Sequence, residues 1–320
     1  MRVSVLMVTY NHERFIEQAI ESALMQVTNF DYEIVIGEDC STDRTREIVV
    51  DYQKRHPEKI RLLLQQQNTG GARNFSQAFQ ACTGEYVALL DGDDYWTCSH
   101  KLESQIQFLA AHPDYAICFH PVEWFYQDEV KPGCAIPERS VWPDNPPETS
   151  TLEDILRSVY IQSSSVVFRN HLFENYPEWI YELPFGDWPL FVLHADHGKI
   201  GCLSEVMSAY RRHTGGVWFA VEDEARYLAV IKMYGFLNTH FNYKYAGMIR
   251  PLLAEYYQRL GEFYDSAGNQ EMALAPIARS IAARLWSGTL PPLNSFKMLA
   301  RLSLPSLYAF SKRFRRSAAL

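Results

Sequence analysis

The chain has 320 residues, 47% of them apolar and 21% charged, which excludes a wholly disordered or low-complexity protein. Acids outnumber bases 38 to 30, for a formal charge of −8, so a basic nucleic-acid binder is not expected. No apolar run of the roughly eighteen residues needed to span a bilayer occurs.

The opening, MRVSVLMVTYNHERF, has a short apolar run with no cleavage pattern behind it. Six cysteines (Cys40, Cys82, Cys98, Cys118, Cys134, Cys202) show no CxxC spacing. They read as scattered reduced thiols of a cytosolic protein, not as a disulfide framework or a zinc cage.

In chain order, Val3 to Val8 is a continuous β-rich run, the pattern of a strand covered on both faces. Thr9-Tyr10-Asn11-His12 ends it, and a helix is expected from about Glu13 to Met25. Tyr32 to Ile36 is a second strand, ending in Gly37-Glu38-Asp39-Cys40-Ser41-Thr42-Asp43. Ser41 or Thr42 is placed to cap a helix running to about Arg55. Ile60 to Leu64 is a third strand, Asn68-Thr69-Gly70-Gly71 a turn, and about Arg73 to Cys82 a helix. Tyr86 to Leu90 is a fourth strand, stopped by Asp91-Gly92-Asp93-Asp94. The order βαβαβαβ implies parallel strands with crossover helices. Ligands of such sheets bind at the carboxyl ends of the strands. The polar clusters at 9–12, 38–43 and 91–94 are therefore expected to converge on one edge.

The middle is less regular. Residues 131–150 are rich in proline and polar residues and read as an excursion or flexible loop. Strands are expected at 115–125 and 164–169, and helices at 152–159 and 187–197. From about Glu222 the pattern is helical, with one helical hairpin formed by Tyr256 to Tyr264, a Gly-Asn turn at 268–269, and Ala273 to Leu285. Ser295 to Leu320 holds no acid and six bases: Lys297, Arg301, Lys312, Arg313, Arg315 and Arg316. Leucines and phenylalanines interleave with them. This suits a helix on an anionic membrane surface, or a basic tail packed on an acidic body.

Asp91-Gly92-Asp93-Asp94 carries the most chemistry. Neighbouring carboxylates repel one another unless a cation shares them. Asp91 and Asp93 are spaced to reach one hard divalent ion, Mg²⁺ or Mn²⁺, which takes phosphate oxygens as further ligands. The plainer alternative is a solvated acidic turn, and the position directly after a buried strand favours the site. Asp39 offers a carboxylate to a base N–H, or serves helix N-terminal electrostatics. Tyr10 offers a ring for base stacking, or is an ordinary half-buried aromatic.

The stretches VSVLMVTYNH, EIVIGEDCSTDRT, NTGGARNFSQA and GEYVALLDGDDYW, in this order and spacing, resemble the family 2 inverting glycosyltransferases of GT-A fold. Weaker resemblance continues through QSSSVVFRN, FGDWPLF and AYRRHTGG, to about residue 218. The resemblance implies an α/β fold: a GT-A domain over 1–218, with a Rossmann-like, mostly parallel sheet flanked by helices, and a helical C-terminal region over 219–320 with a basic amphipathic tail. It implies that Thr9, Tyr10 and Asp39 hold the nucleobase, usually uracil, and that Arg73 helps position the nucleotide from behind a shortened loop. Asp91 and Asp93 look like the DxD motif that contacts ribose and the diphosphate-bound metal, with Asp94 as the frequent extra acid. Asp187, in Gly186-Asp187-Trp188, aligns with the catalytic base, although local sequence alone also reads it as a helix cap. His213 falls where some relatives place a metal or diphosphate contact, or is a solvated loop histidine. Arg211 and Arg212 are further sources of positive charge for a diphosphate. Ser163-Ser164-Ser165 is a candidate acceptor contact or a local turn, and Trp96, Trp188 and Trp218 are sugar-platform or core residues.

Three departures stand out. Gly186 replaces a glutamate of many relatives, Glu38 replaces a frequent aspartate, and no QxxRW occurs, so a processive polysaccharide synthase is not expected. The implied activity is a Mn²⁺- or Mg²⁺-dependent single displacement with inversion. It moves one sugar from a nucleotide-sugar donor, probably UDP-linked, to a hydroxyl of a glycan or lipid-linked acceptor. The implied setting is surface-glycan assembly (capsule, O-antigen or glycoprotein) in the cytoplasm, at the inner face of the membrane. The competing expectation is a non-catalytic nucleotide-sugar-binding or scaffolding protein of the same fold. A nucleotidyltransferase is disfavoured because no Gly-rich phosphate loop follows the first strand.

Overall fold

The computed structural model describes residues 2–127, 139–173, 176–213 and 223–303. The chain divides into two compact units, Met1–Ala220 and Val221–Leu320. In the first, β1 (Val3–Thr9), α1 (Ile16–Leu24), β2 (Tyr32–Glu38), α2 (Thr45–Arg55), β3 (Ile60–Leu64), α3 (Gly71–Ala81) and β4 (Tyr86–Leu89) follow one another. Then come β5 (Tyr95–Trp96), α4 (Lys101–Ala111), β6 (Tyr115–Phe119), β7 (Val122–Tyr126), β8 (Arg139–Trp142), β9 (Thr149–Ser150) and α5 (Leu152–Arg157). A 3₁₀ turn at Ser163–Ser165, β10 (Val167–Arg169), α6 (Asp187–Ala195), β11 (Lys199–Cys202) and β12 (Ser208–Arg212) complete it.

The larger sheet has the order β3-β2-β1-β4-β10-β6-β11-β9. Its first four strands are parallel, as their connections require. The next, β10, runs antiparallel to both β4 and β6. Val5, Met7, Ile34, Ile36 and Ala88 pack with Ile16, Ile20, Val49, Leu102 and Ile106 in a single buried cluster. These strands are buried along almost their whole length, which is why they read as unbroken apolar runs. The smaller sheet, β5-β12-β7-β8, carries the chain from the end of β4 back beside it.

Several sequence expectations need correction. Helix α1 begins at Ile16, not near Glu13, because the amides of Phe15 and Ile16 both turn back onto the His12 carbonyl at 2.8 and 2.9 Å. Ser41 and Thr42 do not cap α2: they face the loop after β1, and Asp43 Oδ1 takes the Thr45 amide instead at 2.9 Å. The excursion expected at 131–150 includes two strands, β8 and β9, while 131–138 lies outside the described residues.

The second unit contains α7 (Asp223–His240), α8 (Ala246–Ser266), α9 (Gln270–Trp286) and α10 (Leu293–Ser303). The expected hairpin is α8 and α9, turning at Gly268 (φ 78) with Asn269 Oδ1 capping the Met272 amide at 3.3 Å. At Gly261 a Cβ would come 2.5 Å from Ile277, so the missing side chain lets the two helices close on each other. Leu260, Tyr264, Ala273, Ile277, Ile281 and Leu302 form the core beneath them. Among the described residues no helix is long and apolar enough to cross a membrane.

Candidate active site

The turns after β1 and β2 are stitched together. Asn11 (φ 55) and Cys40 (φ 59) take the left-handed conformation that reverses the chain sharply. The Asn11 amide donates to Ser41 Oγ (3.0 Å), the Thr42 amide to Asn11 Oδ1 (2.8 Å) and the His12 amide to Thr45 Oγ1 (2.8 Å). The Glu13 amide donates to Asp43 Oδ2 and the Arg44 amide to Glu13 Oε2, each at 3.0 Å. Each loop thus satisfies backbone donors of the other. Glu38, fully buried, accepts from the Ser41 amide at 2.6 Å and pairs with Arg46, so its charge braces this corner.

Asp39, at the same strand end, is also buried. Its Oδ1 accepts from the amide (2.7 Å) and hydroxyl (2.8 Å) of Thr69, and its Oδ2 from the Gly70 amide (2.9 Å). A carboxylate has about four acceptor directions, so the turn before α3 occupies most of those on Asp39. Asn74 Nδ2 donates to the Gly37 carbonyl at 2.8 Å, locking α3 to β2. Arg73, in the first turn of α3, is exposed, and Tyr10 is 40% exposed at the end of β1.

The acidic turn touches the first loop. A Cβ at Gly92 would come 2.7 Å from Thr9 Oγ1 and 3.0 Å from His12 Nδ1, which is the physical reason for glycine there. Thr9 Oγ1 lies 3.3 Å from His12 Nδ1. His213 Nε2 lies 3.1 Å, and His12 Nε2 3.7 Å, from the same Asp93 Oδ2. Burial alone would raise the Asp93 carboxyl, but the two imidazoles outweigh it and hold it below the usual range. Burial pushes Asp91 up to about 8, helped by the charges of Asp93 and then of Asp187. Asp94 is raised well above the usual range by burial, then by Asp93 and Asp91. Its Oδ1 accepts from the Arg211 amide at 2.8 Å, and its Oδ2 is buried without a hydrogen bond.

Asp187 is the first residue of α6, and Gly186 holds the cap position. Its Oδ1 accepts from the Trp188 amide (2.8 Å) and its Oδ2 from Ser163 Oγ (3.3 Å). Burial raises its carboxyl, and these two donors offset only part of that. A Cβ at Gly186 would stand 2.9 Å from the Tyr176 hydroxyl, so the absent glutamate goes with a tyrosine that fills its space.

The fold therefore brings Thr9, Asp91, Asp93, Asp187 and His213 to one end of β1 and β4. Asp39 and Arg73 belong to the neighbouring corner built on β2 and α3. Sequence reasoning missed His12 as a partner of Asp93, since one histidine in a polar loop carries no distinctive pattern. It also misjudged Arg211, whose Nε and Nη2 donate to the Asp93 carbonyl (2.8 Å) and Gln18 (2.7 Å). The Arg211 guanidinium lies over the Phe15 ring at 4.6 Å, which makes it a strut between β12 and the acidic turn. Arg212 stacks on Trp124 at 3.8 Å. Trp96 and Trp188 are core residues whose indole N–H groups donate to the carbonyls of Ser164 (2.8 Å) and Ile155 (2.7 Å). Trp218 lies outside the described residues. Of the three serines, Ser163 alone hydrogen-bonds Asp187.

Among the described residues no group of three or more His, Cys, Asp or Glu side chains is arranged to enclose a metal ion unaided. The donor chemistry nevertheless fits a hard cation that draws further ligands from a substrate. Adjacent carboxylates repel one another here, one of their oxygens is buried without a partner, and an imidazole stands at their edge.

Comparison with known proteins follows the same lines. The sequence profile described as Glycosyl transferase family 2 matches residues 4–172. Mb1547 of Mycobacterium bovis is 36% identical over 225 residues, 70% of this chain, and the chain spans 62% of that relative's length. Staphylococcus aureus TarS, residues 1–349 in complex with UDP, superposes with a TM-score of 0.57 at 21% identity, over 95% of this chain and 86% of that one. The mannosyltransferase PcManGT of Pyrobaculum calidifontis, in complex with GDP-Man and Mn²⁺, gives a TM-score of 0.53 at 16% identity, over 98% and 82% of the two chains. The fold is GT-A. The chain belongs to glycosyl transferase family 2.

Proposed function

We propose that this protein transfers a sugar from a nucleotide-sugar donor to an acceptor hydroxyl by a single displacement with inversion, with Asp187 as the base. The observation that carries the reading is the meeting of Asp187 with Asp91, close enough for one charge to push up the other, beside the Asp93–His213 pair. TarS bound to UDP and PcManGT bound to GDP-Man and Mn²⁺ lend support to a nucleotide-diphosphate donor and a divalent ion.

In this reading Tyr10, Thr9 and Asp39 face the nucleobase, Asp39 through the acceptor direction left free by Thr69 and Gly70. Arg73, exposed beside that turn, steadies the nucleotide. Asp93 and His213 would hold Mn²⁺ or Mg²⁺, with Asp91 toward the ribose. A bound divalent ion neutralises charge on the departing diphosphate. Asp187 accepts the proton of the acceptor hydroxyl as its oxygen bonds to the anomeric carbon and the diphosphate oxygen leaves from the opposite face. Its raised basicity suits that task, and Ser163 and the Trp188 amide hold the carboxylate in one orientation. The acceptor is a glycan or lipid-linked hydroxyl of surface-glycan assembly, and the setting is the cytoplasmic face of the membrane, with contact through 295–320. Of that segment, 304–320 lies outside the described residues.

The test is donor hydrolysis without acceptor. The chain is incubated with UDP-sugars, and in parallel with GDP-mannose, plus Mn²⁺. Nucleoside diphosphate release that disappears in Asp187→Asn and in Asp93→Ala supports the assignment. Release unchanged in both variants removes it. Donor binding without turnover would assign the fold to nucleotide-sugar binding alone.

A further inference from the structure

We propose that the corner joining α9 to α10 in the helical unit is a docking surface for an anionic lipid bilayer. The observation is an apolar surface where a water-facing helix pair ordinarily carries charge. Trp286 is 78% exposed, Leu290 89% and Leu293 68%, with Leu285 and Phe296 also exposed. On α9 the outward positions Met272, Ala275, Ala278, Arg279, Ala282 and Trp286 recur at helical spacing, and Arg279 is the one charged residue among them. On α10, Leu293, Phe296, Lys297 and Ala300 form the corresponding outward row. The opposite faces are already used: Ala273, Ile277, Ile281 and Leu302 sit in the core of the unit. The exposed rows are therefore surplus to folding.

Charge selects the occupant. From Met272 to the end of the sequence there is no acid, and the exposed charges of the two rows are Arg279 and Lys297. A symmetric contact with a second copy would set these cations against themselves. Anionic headgroups match them, while Trp286 and the leucines enter the boundary between headgroups and acyl chains, where tryptophan is favoured. The turn Ser287–Pro292 places Leu290 at its tip. Proline at 291 and 292 stiffens that tip without needing backbone donors, so its burial in the interface leaves fewer amides unsatisfied. The surface lies in the folded helices, distinct from the basic residues beyond 303, and does not depend on the sugar-transfer reading.

The experiment is flotation of the full chain with vesicles of phosphatidylcholine alone, or with about a third phosphatidylglycerol. Wild type is expected to float with the anionic vesicles, weakly with the neutral ones, and less as salt rises. Trp286→Ser with Leu290→Ser should cut partitioning about tenfold or more. Arg279→Glu with Lys297→Glu should cut it by about fivefold per charge, on anionic vesicles only. Circular dichroism and melting of each variant check that the helices remain, and donor hydrolysis by the same variants is expected unchanged. Failure of wild type to float, or flotation of the Ser double variant equal to wild type, overturns the proposal. So does light scattering that shows a dimer broken by that variant, which would assign the surface to a second copy.

Discussion

His213 Nε2 stands 3.1 Å from Asp93 Oδ2, and the strand that delivers His213 is fixed to the acidic turn by the residue two places earlier, Arg211. The imidazole and the carboxylate are thus held as a pair before any ligand arrives. Asp93→Ala removes the carboxylate and is expected to abolish the rise in melting temperature that Mn²⁺ and donor give wild type. His213→Ala should weaken that rise without abolishing it. Thermal-shift titration with Mn²⁺, with and without UDP, measures both.

Asp187→Asn keeps the shape and the Trp188 contact but cannot take a proton. Turnover should fall by about 10²- to 10⁴-fold, the usual worth of a positioned base. Donor affinity, read by calorimetry, should stay within about threefold, since in this reading the donor is held by residues at other strand ends. A parallel loss of donor affinity would instead make Asp187 part of the binding site.

Gly92→Ala places a methyl group against Thr9 and His12. Forcing such a contact costs about 1–3 kcal/mol. The expected result is a lower melting temperature together with weaker Mn²⁺ binding, because the clash pushes the turn bearing Asp93 away from the His12 loop. Normal stability and normal metal binding would show that the two loops part freely.

Acid should destabilise the sugar-transferase unit through His194. This ring is buried, accepts or donates at the Leu190 carbonyl (2.8 Å) and packs on Phe168 at 4.2 Å. Burial lowers its pKa to about 4. Between about 6.5 and about 4 the unfolded chain binds the proton and the folded chain does not, so stability falls as pH is lowered through that window. At about 1.4 kcal/mol per pKa unit the full effect is on the order of 3 kcal/mol. Melting curves from pH 7.5 to 4.5 should show the decline, and His194→Gln should flatten part of it.

The parallel half of the fold was legible because β1, β2 and β4 are buried on both faces and leave unbroken apolar runs bounded by polar turns. The smaller sheet was not. Its strands span two to five residues, and β7 and β12 mix buried and half-exposed positions without strict alternation. Helix α4 had a readable signal in Leu102, Ile106 and Leu109, but it follows the acidic turn so closely that the site drew attention away from it. Asp93 and Asp187 could be named from motif residues. Their distinct environments could not, because His12 and the Tyr176 hydroxyl that sits against Gly186 come from distant segments.

The reciprocal hydrogen bonds between the turns after β1 and β2 also limit how this pocket can vary. Replacing Asn11 strands the Thr42 amide, and replacing Ser41 strands the Asn11 amide. Neither turn can be redesigned by itself without leaving donors unmet. Altered nucleotide preference is therefore to be sought at Tyr10 and in the Asn68–Gly70 turn, or by exchanging both loops as one cassette.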